Sequence, residues 1–147
     1  MAGFEVYCYT PSNVTYVVDS LNEDNAADFT INDTGEADWH IQLKQTGVKL
    51  EQGQWYRLSL KMKSSIDRKV SYALQRDGST HKDADGNEDW TPYCQETVDL
   101  TGEYQTITKE FQMKEDTDLE TIFNIAMGAV GGKPVSYTHL RAHETCA

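Results

Sequence analysis

The feature that most constrains this chain is its two-residue rhythm. From residue 54 onward Tyr56, Leu58, Leu60 and Met62 are apolar, while Arg57, Ser59, Lys61 and Lys63 alternate with them. That is the pattern of a strand with one face on a core and the other in water. The same rhythm carries Val70, Tyr72 and Leu74 against Lys69, Ser71 and Gln75, and Ile107 and Phe111 against Thr106, Thr108 and Glu110. It returns in Phe123, Ile125 and Met127 and in Trp39, Ile41 and Leu43, with shorter β-rich runs at Val14–Val18 and Asp28–Ile31. Turn signals punctuate the series at Glu51-Gln-Gly53, Asp77-Gly78, Asp85-Gly-Asn87 and Thr101-Gly102. No window has convincing helical periodicity, so the chain reads as all-β, an antiparallel β-sandwich or jelly roll.

At 147 residues there is room for one domain. Charged residues at 25% beside 38% hydrophobic residues support a core and argue against disorder. A formal charge of −11 would repel a phosphate backbone or an anionic membrane surface, so nucleic acid and membrane are not expected partners. The longest apolar stretch, Asn124 to Gly132, is far short of the ~20 residues of a membrane span.

The last residues break the patterning. Val135-Ser-Tyr-Thr-His-Leu-Arg-Ala-His-Glu-Thr145 resembles an in-frame translation of a transposase-type sequencing-library adapter. Residues 135–147 therefore read as a non-native tail, and 1–134 as a domain fragment. Arguments built on His139, His143 or Cys146 are set aside with the tail. Cys8 and Cys94 remain, and they could pair only if their strands are neighbours.

One long loop, Arg76 to Glu96, interrupts the strands and gathers Asp83, Asp85, Asn87, Asp89, Trp90 and Tyr93. Asp38-Trp-His-Ile-Gln-Leu, Leu50-Glu-Gln-Gly-Gln-Trp-Tyr56, Lys63-Ser-Ser-Ile-Asp-Arg68, Leu100-Thr-Gly with Tyr104-Gln-Thr and Phe111, and Phe123-Asn-Ile-Ala-Met-Gly128 follow in order. Together they resemble the jelly-roll carbohydrate-binding modules of families 4, 9 and 22. The resemblance spans residues 28–129 and departs at both ends, so the sandwich is expected to be truncated at one or both ends. It implies noncatalytic binding of a β-glucan, cellulose or xylan chain in a concave cleft. It also implies a tethered glycoside hydrolase and an extracellular or cell-surface setting, since polysaccharides are too large to be imported intact. A structural calcium built from the first and last strands belongs to the same pattern.

Sugar rings present apolar C–H faces with a hydroxyl rim, so a site needs flat aromatics and hydrogen-bonding groups. Trp39, Trp90 and Tyr93 are the candidate platforms, and by the resemblance Trp39 and Tyr93 fall near ligand-contacting aromatics. Trp39 has a second reading, core packing with Ile41 and Leu43. Gln42, Gln75 and Asn124 alternate with buried positions and supply amides that both donate and accept, with an ordinary solvated face as the competing reading. Arg68 leans to a structural role, and Trp55 is expected to pack.

Asp83, Asp85, Asn87 and Asp89 place oxygens at alternate positions, as hard cations require, though the Gly falls at the fourth position of this run and no EF-hand is formed. At most one structural Ca2+ is expected there, competing with a solvated turn, and no cofactor is required. Catalysis is not expected: nothing sets an acid and a base across a cleft, and Cys94 with His40 or His81 lacks a third group. The competing noncatalytic reading is a spacer or cell-surface sandwich that binds nothing, which would lack an exposed aromatic cluster.

Overall fold

The computed structural model describes residues 4–9, 13–18, 27–130 and 138–144, with the side chains of Phe4, Val17, Val18 and 138–144 outside the description. Ten strands form among them: β1 (Phe4–Cys8), β2 (Asn13–Val18), β3 (Ala27–Asp33), β4 (Ile41–Leu50), β5 (Trp55–Ser64), β6 (Arg68–Arg76), β7 (Pro92–Leu100), β8 (Gln105–Gln112), β9 (Asp118–Ala126) and β10 (Thr138–Glu144). They build two five-stranded sheets, sheet A in the order β1-β4-β9-β6-β7 and sheet B in the order β2-β3-β10-β5-β8, with antiparallel pairing throughout. This is the antiparallel β-sandwich that the two-residue rhythm implies.

The alternating apolar residues close the core between the sheets. Phe29, Ile31, Leu60 and Met62 come from sheet B, and Ile41, Leu43, Val70, Tyr72, Phe123 and Ile125 from sheet A, all buried in one cluster. Removing that much apolar surface from water is the dominant favourable term in the fold. The turn signals fall where chain reversal needs them: Gly53 and Gly86 adopt positive φ of 86° and 82°, which glycine takes without a Cβ penalty.

Two local expectations change. The long loop is shorter than the turn chemistry suggests, because β7 begins at Pro92. Its apolar alternation is weak, since Glu96 occupies a core-side position and is neutralised across the sandwich by Lys109 at 2.7 Å. Trp55 is 67% exposed: as the first residue of β5 it shares the outward parity of Arg57, while its neighbour Tyr56 turns inward against Phe111, ring centroids 5.9 Å apart. Cys8 and Cys94 lie on β1 and β7, opposite edges of sheet A, and are not joined to each other by a disulfide.

The tail does not sit at an edge. Residues 138–144 pair on one side with β3 and on the other with β5. Thr138, Leu140, Ala142 and Glu144 stand opposite core-facing Ile31, Phe29, Ala27 and Leu60, respectively. His139 and Arg141 have the other parity, opposite Thr30 and Asp28, and Val135 and Tyr137 lie outside the described residues. Sheet B needs a strand in this slot, because β3 and β5 have no pairing with each other.

Candidate functional site

The outer face of sheet A is hollowed by its own sequence. Across β4, β9 and β6, Gln42, Ala126 and Ser71 are in register, and one row along Lys44, Asn124, Ala73 and Gln95 align through β7. Small residues (Ser71, Ala73, Ala126) lie in these rows between longer side chains, on strands ~4.8 Å apart. The outcome is a groove of about 670 Å³ lined by Gln42, Lys44, Gln75, Gln95, Asn124 and Ile122 with Tyr7, Asp38, Trp39, Ser71, Ser79, Glu88, Trp90 and Ala126. Asn124 is buried even though it faces this open side, and its amide Nδ2 donates to Gln75 Oε1 at 3.0 Å. Gln42 Nε2 donates to the Trp39 carbonyl at 2.8 Å. Held amides of this kind present fixed donors and acceptors to a ligand rich in hydroxyls.

Trp39 reaches the groove because it precedes the strand. A 3-10 turn over Asp38–His40 takes it out of the parity of Ile41 and Leu43, leaving it 46% exposed. Core packing, the competing reading for Trp39, is thus not where the structure places it. The turn is seated tightly. Gly128 donates to the Asp38 carbonyl at 2.9 Å, and a Cβ at Gly128 would stand 2.7 Å from that oxygen, 3.0 Å from Thr34 O and closer still to Ala37 O. Beneath it Arg68, buried, donates through one Nη to the carbonyls of Met127 and Gly128 at 2.6 and 2.8 Å. Burial pushes this guanidinium down to about 10, which leaves it cationic at neutral pH. Arg68 is structural: besides these two carbonyls, its Nε donates to the Lys69 carbonyl at 3.2 Å. Tyr9 meets the Trp39 ring edge-on at 5.1 Å, and Tyr7 lies under Lys44 at 5.4 Å, so aromatics extend along the β1 side.

The loop between β6 and β7, residues 77–91, forms another wall with Ser79, Glu88 and Trp90. Trp90 is 42% exposed, and its indole N–H donates to Glu88 Oε2 at 3.1 Å. The loop is clasped to the sandwich at its base. Arg76 donates to the Tyr93 hydroxyl at 3.2 Å and to Asp89 at 2.7 Å; the Tyr93 hydroxyl donates to Asp118 at 2.9 Å, and His81 Nε2 meets the same carboxylate at 3.1 Å. Burial would raise the Asp118 carboxyl, but the Glu120 amide, the Tyr93 hydroxyl and His81 outweigh it and hold it below the ordinary range. The Thr91 hydroxyl and amide, with Arg76, bring Asp89 down to about 2.

Of the residues singled out from sequence, Trp39, Gln42, Gln75, Trp90 and Asn124 come together around this one groove. Tyr93 does not join them. Leu74 pairs with Cys94 while Gln75 pairs with Pro92, so Tyr93 is the extra residue of a β-bulge. The bulge turns it away from the side occupied by Gln95 and packs it toward the core, beside a smaller cavity with Phe111 and Met113. In the acidic loop, Asp83 Oδ1 accepts from the amides of Asp85 and Asn87, and Asp89 is engaged by Arg76 and Thr91. Among the described residues no three His, Cys, Asp or Glu side chains converge as a cation would require. Asp83, Asp85 and Asn87 are exposed in the loop, and Asp89 is half-buried at its base. Burial raises the Cys94 thiol, the opposite of an activated nucleophile.

Tyr7, Lys44, Asp38, Ser71, Ser79, Glu88 and Gln95 were not singled out from sequence. Gln95 and Ser71 carried a local signal, since each flanks a core position. Tyr7 needed the pairing of β1 with β4, which sets it opposite Gln42.

A family model described as a carbohydrate binding domain matches residues 3–134. No curated protein matches the chain in sequence. Among solved structures, a family 4 carbohydrate-binding module is similar at 24% identity and a TM-score of 0.73, over 97% of this chain and 86% of that one. The N-terminal cellulose-binding domain of a Cellulomonas fimi β-1,4-glucanase aligns at 16% identity and 0.62, over 99% and 88%. A xylan-binding domain from Paenibacillus barcinonensis aligns at 9% identity and 0.55, over 99% and 87%. At these identities the structural likeness establishes the sandwich, and the match over residues 3–134 establishes the kinship: the chain belongs to the carbohydrate-binding domain family whose modules bind sugar without catalysis.

Proposed function

We propose that the groove on sheet A binds a single β-linked polysaccharide chain, a β-glucan, cellulose or xylan strand, and delivers a tethered glycoside hydrolase to it. The observation that carries this reading is the pairing of two exposed tryptophans, Trp39 and Trp90, with held neutral amides (Gln42, Gln75, Asn124) around one open groove. The tryptophans offer flat apolar faces for the C–H faces of sugar rings, and the amides serve the hydroxyl rim. An exposed aromatic cluster is what a spacer would lack. Tethering raises the local substrate concentration for an attached enzyme without chemistry in the groove. An extracellular or cell-surface setting follows from the size of the ligand, and no helix among the described residues is long and apolar enough to cross a membrane.

Affinity electrophoresis against soluble mixed-linkage β-glucan, hydroxyethylcellulose and xylan tests the reading. Retardation in at least one gel, lost in a Trp39→Ala/Trp90→Ala double variant, is the expected result. Unchanged mobility in all of them would return the domain to the spacer class.

A further inference from the structure

Gly78 lies at the start of the loop that walls the groove, and it is buried beneath Trp90. A Cβ built on it would stand within 2.6 Å of three indole atoms, Cε2, Nε1 and Cδ2. Since Cδ2 and Cε2 form the ring fusion and Nε1 adjoins it, nearly equal distances to all three put that methyl over the ring face and not at its rim. The backbone at Gly78 is therefore the seat on which one face of Trp90 rests, leaving the other side to the groove. Gly78 does not have positive φ, so an alanine there would meet no left-handed backbone strain; the nearest obstacle is the ring.

Two other residues fix the seat. The indole N–H donates to Glu88 Oε2, which sets the rotation of the ring in its plane. Asp77 closes the turn under Gly78: its Oδ1 accepts from the Ser79 amide at 2.8 Å, and its carbonyl from the amides of Thr80 and His81 at 3.0 and 2.8 Å. A stacking wall already held in its bound orientation loses less side-chain freedom when a ligand arrives.

We infer that Gly78 is a positioning residue for carbohydrate recognition, acting through Trp90 by leaving the space in which the indole lies as a preformed wall of the groove. The inference rests on the carbohydrate reading of the groove. It makes Trp90 a fixed platform whose geometry is set by a residue that does not itself line the groove.

The test is a double-mutant cycle with Gly78→Ala, Trp90→Ala and both together, titrated with the soluble glycan that retards the wild type. Acrylamide quenching of Trp90 fluorescence is measured in parallel in a Trp39→Phe/Trp55→Phe background, with and without Gly78→Ala. Expected is a fall of about tenfold in affinity for each single variant, a double variant no weaker than Trp90→Ala, and a thermal midpoint for Gly78→Ala within a few degrees of wild type. Quenching of Trp90 should rise when Gly78 becomes alanine. Wild-type affinity in Gly78→Ala, or a double variant weaker than Trp90→Ala by the full Gly78 factor, would overturn the inference. A wild type that binds no glycan would sink the carbohydrate reading, and with it the recognition role of Gly78; quenching would still show whether Gly78 seats Trp90.

Discussion

Replacing Trp39 with alanine is the sharpest test of where the sugar lies. Trp39 is 46% exposed at the groove, so of the ~250 Å² of an indole side chain roughly 115 Å² is open to a ligand. A pyranose ring covers one face, about half of that area, and ~25 cal/mol per Å² of apolar surface removed from water gives about 1.4 kcal/mol. The expected loss is therefore about tenfold in Kd. Trp55 is the internal control: at 67% exposure it offers more apolar surface than Trp39, but it lies on β5 in sheet B and lines no part of the groove. Isothermal titration with a soluble β-glucan or xylan should show Trp39→Ala weakened about tenfold and Trp55→Ala unchanged. Because Trp39 also meets Tyr9 and His40 at centroid distances of 5.1 and 4.4 Å, the variant should lose some stability as well, read separately by thermal unfolding. Equal losses in both variants, or full affinity in Trp39→Ala, would refute the assignment of sheet A as the binding face.

Arg68→Met keeps the buried volume but leaves the carbonyls of Met127 and Gly128 without this donor, so unfolding by urea should show a loss of about 3 kcal/mol; Lys should not fully rescue it, since a single Nζ cannot also replace the Nε bond to the Lys69 carbonyl. Asp118 is held below its ordinary range, so its contribution is complete above its unfolded value of ~3.9 and fades as pH falls through the lower folded value. Asp118→Asn should flatten the acid limb of a thermal-midpoint against pH curve, and an unchanged limb would remove the clasp from the account. Saturating calcium or chelator should leave the midpoint unmoved, whereas a rise with calcium would show that a site does assemble. Because residues 138–144 pair with both β3 and β5, deletion of 135–147 should open sheet B and lower the thermal midpoint, whatever the origin of the tail. An unchanged midpoint on deletion would show that the tail adds nothing to sheet B.

Alternation along Tyr56–Met62, Val70–Leu74 and Phe123–Met127 was enough to define an all-β sandwich and most of its core, because a strand's parity is local: every second residue faces the same way whatever the neighbours are. The same parity put Gln42, Gln75 and Asn124 on the face away from the core, and there they line the groove. Where the chain leaves strict period two, sequence parity stops being a guide. A single 3-10 turn released Trp39 from the side of Ile41 and Leu43, and one bulged residue sent Tyr93 toward the core instead of the groove. Strand neighbours were equally out of reach, since pairing of β1 with β4, or of β10 with both β3 and β5, joins residues far apart in the chain. Turns, bulges and pairings are selected by the total packing of two sheets, so only the tertiary structure decided which aromatics meet around the groove and which serve to hold it.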